Sequence, residues 1–195
     1  MIRVLLVHDT WLMRSALTAL LESAEGIEAS SACWESAPDQ AHSLQPDLCV
    51  VDADCPGFSR LPDHPTGQRC ELLVLATSCR PGVLRRAAQA RALGFVNKDA
   101  SPTLLLNAIR LVAAGKRYVD ASLAPDLVQA ADMKLTPREL SVLALAAEGA
   151  SVPETAGTLR LSKGTVRNYM SAIIRKTNAR NWADAVRISN GAGWV

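Results

Sequence analysis

Short apolar runs alternate with helix-forming segments in the first 115 residues, and this alternation strongly limits the folds open to the chain. Four runs of four to six residues and a weaker fifth run are candidate strands: 2–7, 27–33, 47–52, 71–76 and 94–97. Because the runs are short and rich in branched aliphatic residues, they are typical of strands buried on both faces. The sequence therefore predicts an α/β fold with a doubly wound, five-stranded parallel sheet.

Helical patterns lie between these runs. Helices are predicted over about 10–23, 80–93 and 101–115. Thr10 is a candidate cap for the first helix, and Ser101 followed by Pro102 is a strong start signal for the third. The segment GFSRLPDHPTGQRC (57–70) contains two prolines. Proline inside a helix costs roughly 3 kcal/mol, so we expect any helix there to be short or absent.

The charges are unevenly distributed along the chain. The formal net charge is only +2, and residues 1–120 carry twelve bases and thirteen acids. Residues 160–195 carry seven bases and one acid. This imbalance indicates a C-terminal region that prefers polyanions, although a solvated basic face on an ordinary helical bundle is an open alternative.

The cysteines and the hydropathy bear on the compartment. Five cysteines lie in the first half of the chain: Cys33, Cys49, Cys55, Cys70 and Cys79. The odd number and the lack of a CxxC pair argue against a zinc site or a disulfide framework and favour reduced thiols. Cys49 lies in an apolar run and is expected to be a core residue. No segment approaches the roughly 20 apolar residues needed to span a bilayer. We therefore expect a cytoplasmic protein with no membrane partner.

Polar side chains follow several of the predicted strands. They are His8 and Asp9, Asp52, Ala76 with Thr77, and Lys98. The carboxyl ends of parallel strands meet at one edge of the sheet, where functional groups collect. Carboxylates such as those of Asp9 and Asp52 hold Mg²⁺, a hard cation that prefers oxygen ligands, and a lysine such as Lys98 neutralises a phosphoryl group.

At these residues the chain resembles the receiver domain of bacterial response regulators, which has a CheY-like, flavodoxin-like fold. The resemblance covers residues 2–116. Asp52, in VVDADCPG, matches the phospho-accepting aspartate, and Asp9 matches the second residue of the family's acidic pair. Lys98, in FVNKD, matches the family's lysine, and Phe95 matches the switch aromatic position. The resemblance implies phosphorylation of Asp52 by a histidine kinase with Mg²⁺ at the two aspartates.

Two departures from the receiver pattern change this expectation. His8 stands where the family usually has an acid, and Ala76 where it has Thr or Ser; Thr77 is adjacent but points the other way by strand alternation. A neutral imidazole is a poor Mg²⁺ ligand, so metal binding at Asp9 and Asp52 should be weak or absent. We favour a receiver that controls dimerisation or DNA binding without ordinary phosphorylation, with a small-molecule ligand as one possible signal. Conventional phosphorylation, with His8 a tolerated substitution, is the alternative.

The C-terminal region reads as four helices. They are predicted over about 136–149, 151–159, 162–176 and 181–190, after a linker at 117–133 with one short helix. In the third helix, apolar residues lie on one side, and the opposite side carries Lys163, Gly164, Arg167, Asn168, Ser171 and Arg175. Such a helix, joined to the previous one by a short turn, suits the major groove of DNA.

Residues 134–190 resemble the helix-turn-helix domain of the NarL/FixJ (LuxR-type) regulators, through LTPREL, VLALAAEG, ETA and GTVRNY. The RPG after the fourth strand and GTVRNY are most similar to the DesR-like branch of that family. The resemblance implies DNA contacts from Lys163, Gly164, Thr165, Arg167, Asn168 and Lys176. It also implies that the last helix forms a homodimer, which would read inverted half-sites.

Together these features predict three segments in one transcription regulator. They are a receiver domain (1–116), a linker (117–133) and an all-α, four-helix LuxR-type domain (134–195). We expect no enzymatic activity, because a hydrolase built on Asp9, Asp52 and Lys98 would not explain the C-terminal helices. A protein-binding adaptor that has lost DNA binding is a further alternative.

Overall fold

The computed structural model describes residues 1–58, 70–132 and 134–195. The chain divides into two compact units. The first comprises Met1–Ser78 and Val83–Leu127, and the second comprises Cys79–Gly82 and Val128–Val195. The limits of the predicted domains and linker stay predictions. No helix within the described ranges is long and apolar enough to cross a bilayer.

A parallel sheet forms the centre of the first unit. Its strands are β1 (Ile2–Val7), β2 (Ile27–Ala32), β3 (Leu48–Asp52), β4 (Glu71–Ala76), β5 (Gly94–Asn97) and β6 (Tyr118–Val119). They lie in the order β2-β1-β3-β4-β5-β6, and neighbouring strands pair in parallel. The predicted doubly wound parallel sheet is confirmed.

The prediction of five strands was wrong, because the sheet has a sixth. The predicted linker contributes β6, which pairs with β5. The amides of Tyr118 and Asp120 donate to the carbonyls of Leu93 and Phe95, at 3.0 and 2.8 Å. These bonds satisfy carbonyls at the edge of β5 that a five-stranded sheet would leave unpaired. The turn into β6 passes through Gly115, whose φ of +72° suits glycine.

Helices flank the sheet. They are α1 (Trp11–Glu22), α2 (Ala37–Leu44), α3 (Pro81–Gln89), α4 (Pro102–Ala113) and, after a 3-10 turn at Ala121–Leu123, α5 (Ala124–Ala131). Four of these match predicted helices, including α5, which is the short helix predicted in the linker, whereas α2 was not predicted. Ser101 caps α4 as expected, but the side chain of Thr10 makes no capping hydrogen bond, contrary to the prediction. The expectation of a short or absent helix at 57–70 falls largely on 59–69, outside the described residues.

The strands bury side chains on both faces of the sheet, as their composition predicts. One face contributes Leu5, Val7, Cys49, Val51 and Val74 to a core cluster. The other face contributes Val4, Leu6, Leu48, Val50 and Leu73 to a second cluster. Each such side chain contributes roughly 1.5–3 kcal/mol on full burial. This two-sided core fixes the strand register and therefore the positions of the residues that follow each strand.

The second unit contains the four predicted C-terminal helices. They are α6 (Pro137–Ala147), α7 (Val152–Leu159), α8 (Lys163–Lys176) and α9 (Trp182–Gly191). Capping boxes begin α6 and α7, formed by Thr136 with Glu139 and by Ser151 with Glu154. The helices enclose a small core that includes Leu135, Val142, Leu143, Ala156, Val166, Ile173 and Ala185.

Candidate functional site

Side chains at the carboxyl ends of β1, β3 and β5 meet in one cluster in the first unit. Its members are His8, Asp52, Asp54 and Lys98, here called the Asp52 cluster. The Nε2 atom of His8 lies 3.0 Å from Oδ2 of Asp52. The ammonium of Lys98 forms ion pairs with Oδ1 of Asp52 and Oδ2 of Asp54. Asp52 is only 4% exposed, so its charge depends on these partners.

Hydrogen bonds assign the proton of His8. Its Nδ1 accepts a hydrogen bond from the amide of Thr10, at 3.1 Å. An Nδ1 that accepts carries no proton, so the imidazole is the tautomer with its proton on Nε2. This Nε2–H donates to Oδ2 of Asp52. His8 therefore acts as a neutral hydrogen-bond donor, immediately before Asp9, at the position where the sequence comparison with receivers predicts an acid.

The other oxygen of Asp52 is also engaged. Oδ1 accepts the amide of Asp54 at 3.0 Å as well as the ammonium of Lys98. Burial lowers the pKa of Lys98, but hydrogen bonds to Asp52 and Asp54 outweigh it, and the net pKa lies above its usual value. Lys98 therefore keeps its charge. The role of Asp54 was not predicted, although its position two residues after Asp52 is the signal that was available.

Asp9 lies apart from these contacts. It is exposed, and its Oδ1 accepts the amide of Trp34 at 2.7 Å. Among the residues that the structure describes, no group of three His, Cys, Asp or Glu side chains is arranged to hold a metal ion. Donors occupy both oxygens of Asp52, and one oxygen of Asp9 is held by a backbone amide. The arrangement does not fit the Mg²⁺ site that the resemblance implies.

The remaining predicted receiver residues lie beside the cluster. Ala76 is fully buried and offers no hydroxyl, whereas Thr77 is exposed. Phe95 is packed in the core cluster that contains Val74, Ala76 and Leu123. Sequence reasoning missed Asn97, a buried amide whose Nδ2 donates to Ser78 and Ser122 at 3.0 and 2.8 Å. These bonds fix the end of β5 and therefore the backbone that carries Lys98.

Arg14 connects the cluster to an exposed apolar surface. Its Nη1 donates to the carbonyl of His8 at 2.6 Å, and its guanidinium lies 5.0 Å from the ring centroid of Trp11. Trp11, Leu12 and Met13 are 73%, 74% and 48% exposed, which is unusual for three consecutive large apolar residues. A cavity of about 120 Å³ lies near this helix, lined by His8, Met13, Leu17, Leu20, Leu75, Val96, Asn97, Lys98, Ala100, Pro102 and Leu105.

In the second unit, α8 has the two faces that its sequence predicts. Val166 and Ile173 are buried in the core. The opposite face, here called the α8 stripe, is exposed at Lys163, Gly164, Arg167, Asn168, Ser171 and Arg175. The helix begins at Ser162, whose Oγ accepts the amide of Thr165 at 3.0 Å. Exposed cations beside a capped helix N-terminus form a surface that attracts phosphates.

Gly164 in this stripe has no packing explanation within the protein. A Cβ atom there would meet only Ser162 Oγ, at 3.6 Å, which is ordinary contact. Glycine in a helix costs roughly 0.5–1 kcal/mol relative to alanine. Packing within the protein therefore does not require glycine at this position. The space that a side chain would fill is open to close approach by an external molecule.

Two of the predicted DNA contacts are engaged within the protein: Thr165, whose Oγ1 lies 2.8 Å from Ser162 Oγ, and Lys176. Its Nζ lies 2.8 and 2.7 Å from the two carboxylate oxygens of Glu139, the buried acid in the capping box of α6. Burial raises the pKa of Glu139, but its hydrogen bonds with Lys176 and Thr136 outweigh it and lower the pKa overall. Lys176 thus ties the end of α8 to the start of α6. Its contact with DNA stays a prediction.

The last helix is braced by an acid at its first turn. The Oδ2 of Asp184 accepts Nε of Arg180 at 3.0 Å, and its Oδ1 accepts Nη2 of Arg187 at 2.7 Å. Hydrogen bonds with these two arginines hold the pKa of Asp184 well below its usual range. Ala185 and Ser189 are buried, so one face of α9 is fixed against the bundle.

Comparisons with known proteins agree with both halves of this architecture. The model of the GerE family, described as bacterial regulatory proteins of the luxR family, matches residues 133–189. The response regulator RamR of Streptomyces coelicolor is 47% identical over 202 residues, covering all of this chain and 98% of that protein. The transcriptional regulatory protein DesR of Bacillus subtilis is 35% identical over 198 residues, covering 100% and 99%.

Solved structures show the same fold over nearly the full length. RcsB from Salmonella enterica serovar Typhimurium, bound to promoter P1flhDC, superposes with a TM-score of 0.67 at 22% identity, covering 97% of this chain and 98% of that chain. The parallel sheet, the C-terminal helical domain and the sequence matches together define the class of protein. It is a response regulator that binds DNA to regulate transcription. The chain belongs to the LuxR-type (NarL/FixJ) response regulators, which confirms the predicted resemblance.

Proposed function

We propose that this response regulator controls dimerisation or DNA binding without ordinary phosphorylation of Asp52. The observation that carries the proposal is that donors already engage both oxygens of the buried Asp52 carboxylate: Nε2–H of His8 on one side, and Lys98 with the amide of Asp54 on the other. An oxygen of Asp52 must be free to attack a phosphoryl donor. In this arrangement each oxygen is shielded and its charge is neutralised by its partners.

Phosphorylation of a receiver aspartate also requires Mg²⁺, and the metal-binding residues of this chain are a second obstacle to it. Mg²⁺ prefers oxygen ligands in octahedral geometry, and neutral imidazole is a poor substitute. The ring of His8 directs a proton, not a lone pair, at Asp52. A cation that approached Asp52 would therefore be repelled by the N–H group of His8 and the ammonium of Lys98, and neither group can coordinate it.

The response side of the receiver is also altered. The fully buried Ala76 has no hydroxyl with which to follow a phosphoryl group, and the hydroxyl of Thr77 lies on an exposed residue. Phe95 is packed inward, 6% exposed. Even if a phosphoryl group formed on Asp52, no hydroxyl at position 76 would connect it to movement of Phe95.

For the DNA-binding half, we propose that the protein binds an inverted-repeat promoter site as a homodimer. The α8 stripe of each protomer contacts the major groove of one half-site. Lys163, Arg167 and Asn168 are exposed, and their side chains have no ion pair or hydrogen bond within the described residues. Arginine and asparagine suit guanine and adenine edges, whereas Lys163, Gly164 and Thr165 lie at the helix start, where a phosphate binds. RcsB, which shares the fold, is bound to promoter DNA in its solved structure.

Two modes of control fit an unphosphorylated receiver. One is permanent dimerisation through the exposed apolar residues of α1, whose position Arg14 couples to the carbonyl of His8. The other is a small molecule in the 120 Å³ cavity beside His8 and Lys98. A histidine kinase is the partner that the conventional alternative requires.

The decisive experiment is incubation of the full-length protein with acetyl phosphate and Mg²⁺, followed by intact mass measurement. We expect no phospho-adduct on the wild type or on Asp52→Asn. His8→Asp restores the missing acid and removes the Nε2–H donor, and it should gain an adduct. An adduct on the wild type that disappears in Asp52→Asn and promotes dimers would establish the conventional alternative.

DNA binding is tested separately. Titration of promoter fragments with the unphosphorylated protein should give a specific complex whose affinity falls with salt, because bound cations displace counterions from DNA. The lack of any salt-sensitive complex would favour the adaptor alternative.

A further inference from the structure

Two cysteine sulfur atoms meet on one face of the sheet. Cys49 lies in β3, and Cys70 immediately precedes β4. The strands pair with Leu48 opposite Glu71, so the two cysteines lie diagonally across adjacent strands. Their Sγ atoms are 3.1 Å apart, within hydrogen-bond distance. To form a disulfide the two sulfur atoms must close from 3.1 Å to about 2.05 Å. Because diagonal neighbours have Cα atoms roughly 7–8 Å apart, the start of β4 must shift toward β3 as the bond forms.

The two thiols have different surroundings. Cys49 is buried at 3% exposure, whereas Cys70 is partly exposed at the start of its strand. The hydrogen bond with Cys70, together with burial, raises the pKa of Cys49. The same bond lowers the pKa of Cys70, although burial opposes this effect. Because Cys70 is the more exposed of the two, it is the thiol that an oxidant reaches, and Cys49 is its protected neighbour.

We propose that Cys49 and Cys70 form a redox modification site that hydrogen peroxide converts to a disulfide. The Cys70 thiolate attacks one peroxide oxygen, the O–O bond breaks, and the leaving hydroxide takes a proton to form water. The sulfur of Cys49 then attacks the resulting sulfenic acid of Cys70. The S–S bond forms, the S–O bond breaks, and a second water leaves with the proton of Cys49. The two thiols lose two electrons, and the peroxide gains them.

Cys33 and Cys55 have different surroundings. Cys33 has a lowered pKa because of its hydrogen bond with Ser36, whose Oγ lies 3.2 Å away, but no second sulfur is recorded beside it. Cys55 is buried, with its Sγ 3.9 Å from the carbonyl of Val7. Cys33 is therefore the matched control: a thiol of lowered pKa without a neighbouring thiol to resolve its sulfenic acid. A disulfide that forms from reduced thiols in this way suits a reversible response rather than a permanent framework.

The test uses the full-length protein treated with hydrogen peroxide, then alkylated and measured by intact mass and peptide mapping. We expect the loss of two hydrogen atoms and a reducible cross-link between the peptides that carry Cys49 and Cys70. Cys33→Ser should keep the cross-link, whereas Cys49→Ser and Cys70→Ser should lose it. In Cys49→Ser, dimedone should trap a sulfenic acid on Cys70.

The wild-type peptide map needs no variant, so a variant that fails to fold does not weaken the test. The absence of a cross-link, or one that joins a different pair of cysteines, would overturn the proposal. A dimedone adduct confined to Cys33 in the Cys49→Ser variant would also overturn it. This site does not depend on the proposed function of the Asp52 cluster.

Discussion

The Asp52 cluster and the α8 stripe are both groups of polar residues, but their charges differ in pairing and exposure. In the cluster, the buried carboxylate of Asp52 is met by His8 and Lys98 within the unit. In the stripe, Lys163 and Arg167 extend into solvent, without an ion pair in the described residues. A charge already paired inside a fold is unavailable to a partner without rearrangement, whereas a solvated charge is available at once. The charges of the α8 stripe are therefore available to a partner, whereas those of the Asp52 cluster are not available without rearrangement.

The largest expected effect comes from removing one cation of the open surface. Arg167→Ala should weaken specific promoter binding on the order of 100-fold, because a bidentate arginine–base contact is lost. Arg167→Lys should keep the salt dependence of binding but lose most of the sequence preference. Fluorescence anisotropy at several salt concentrations measures both quantities. Equal affinity for all three proteins would remove Arg167 from the interface.

The next effect concerns Lys176, a predicted DNA contact whose ammonium is paired with the carboxylate of Glu139. Glu139→Gln should lower the free energy of unfolding by about 2 kcal/mol, because Lys176 loses its carboxylate; the partial exposure of Lys176 keeps the effect below the 3–5 kcal/mol of a fully buried pair. Urea denaturation measures this. Glu154→Gln is the control, because Glu154 forms the same capping box without a lysine and should have a smaller effect.

The Glu139 effect should also depend on pH. The pKa of Glu139 is lowered in the folded protein, so its stabilisation is complete above the unfolded value of about 4.5 and is lost as the pH falls through the lower, folded value. The difference between the wild type and Glu139→Gln should therefore shrink in acid. A constant difference at all pH values would show that the ion pair contributes little.

A smaller effect separates stability from binding in the α8 stripe. Gly164→Ala should raise the stability by about 0.5 kcal/mol, because alanine favours the helix and its Cβ has room. The same change should lower DNA affinity several-fold, because the methyl group fills the gap. Gly157→Ala, where a Cβ meets nothing within 4 Å, should raise stability alone. Unchanged DNA affinity in Gly164→Ala would mean that no molecule approaches closely there.

The smallest effect probes the closed cluster through a nearby thiol. Burial raises the pKa of Cys55 to about 12, and the charges of Asp9 and Asp52 add to this rise. Asp52→Asn removes one of those charges and should speed alkylation of Cys55 at pH 9 by a small factor. Mass spectrometry follows the rate, with exposed Cys79 as the internal standard. Asp39→Asn, on the exposed face of α2, should leave the rate unchanged.

Features determined by local sequence could be predicted, and those determined by distant contacts could not. Ser101 and the Thr136–Glu139 pair specify their helix starts within four residues, so those starts were predictable. The strand ends also placed His8 and Asp52 at one edge. That His8 turns toward Asp52 while Asp9 turns away depends on the amides of Thr10 and Trp34.

Two other features show the same limit. Lys176 lies on the predicted recognition helix, but its partner Glu139 is 37 residues earlier in the chain. The short strand β6 exists because the edge of β5 offers carbonyls, and its own two residues, although both are common in strands, are too few to show a strand pattern. In both cases the determining group belongs to another element.

The short strand β6 also bears on whether molecules of this protein aggregate through the edges of their sheets. A sheet edge with a long row of unpaired backbone groups is a template for aggregation. Tyr118–Val119 caps the four-residue β5 with only two residues, so little edge remains for another chain to extend. At the opposite edge β2 is longer, but its sequence IEASSA offers small and polar side chains that give a foreign strand few apolar contacts. The two margins of the sheet thus resist fibre-like stacking by different means, brevity on one side and polarity on the other.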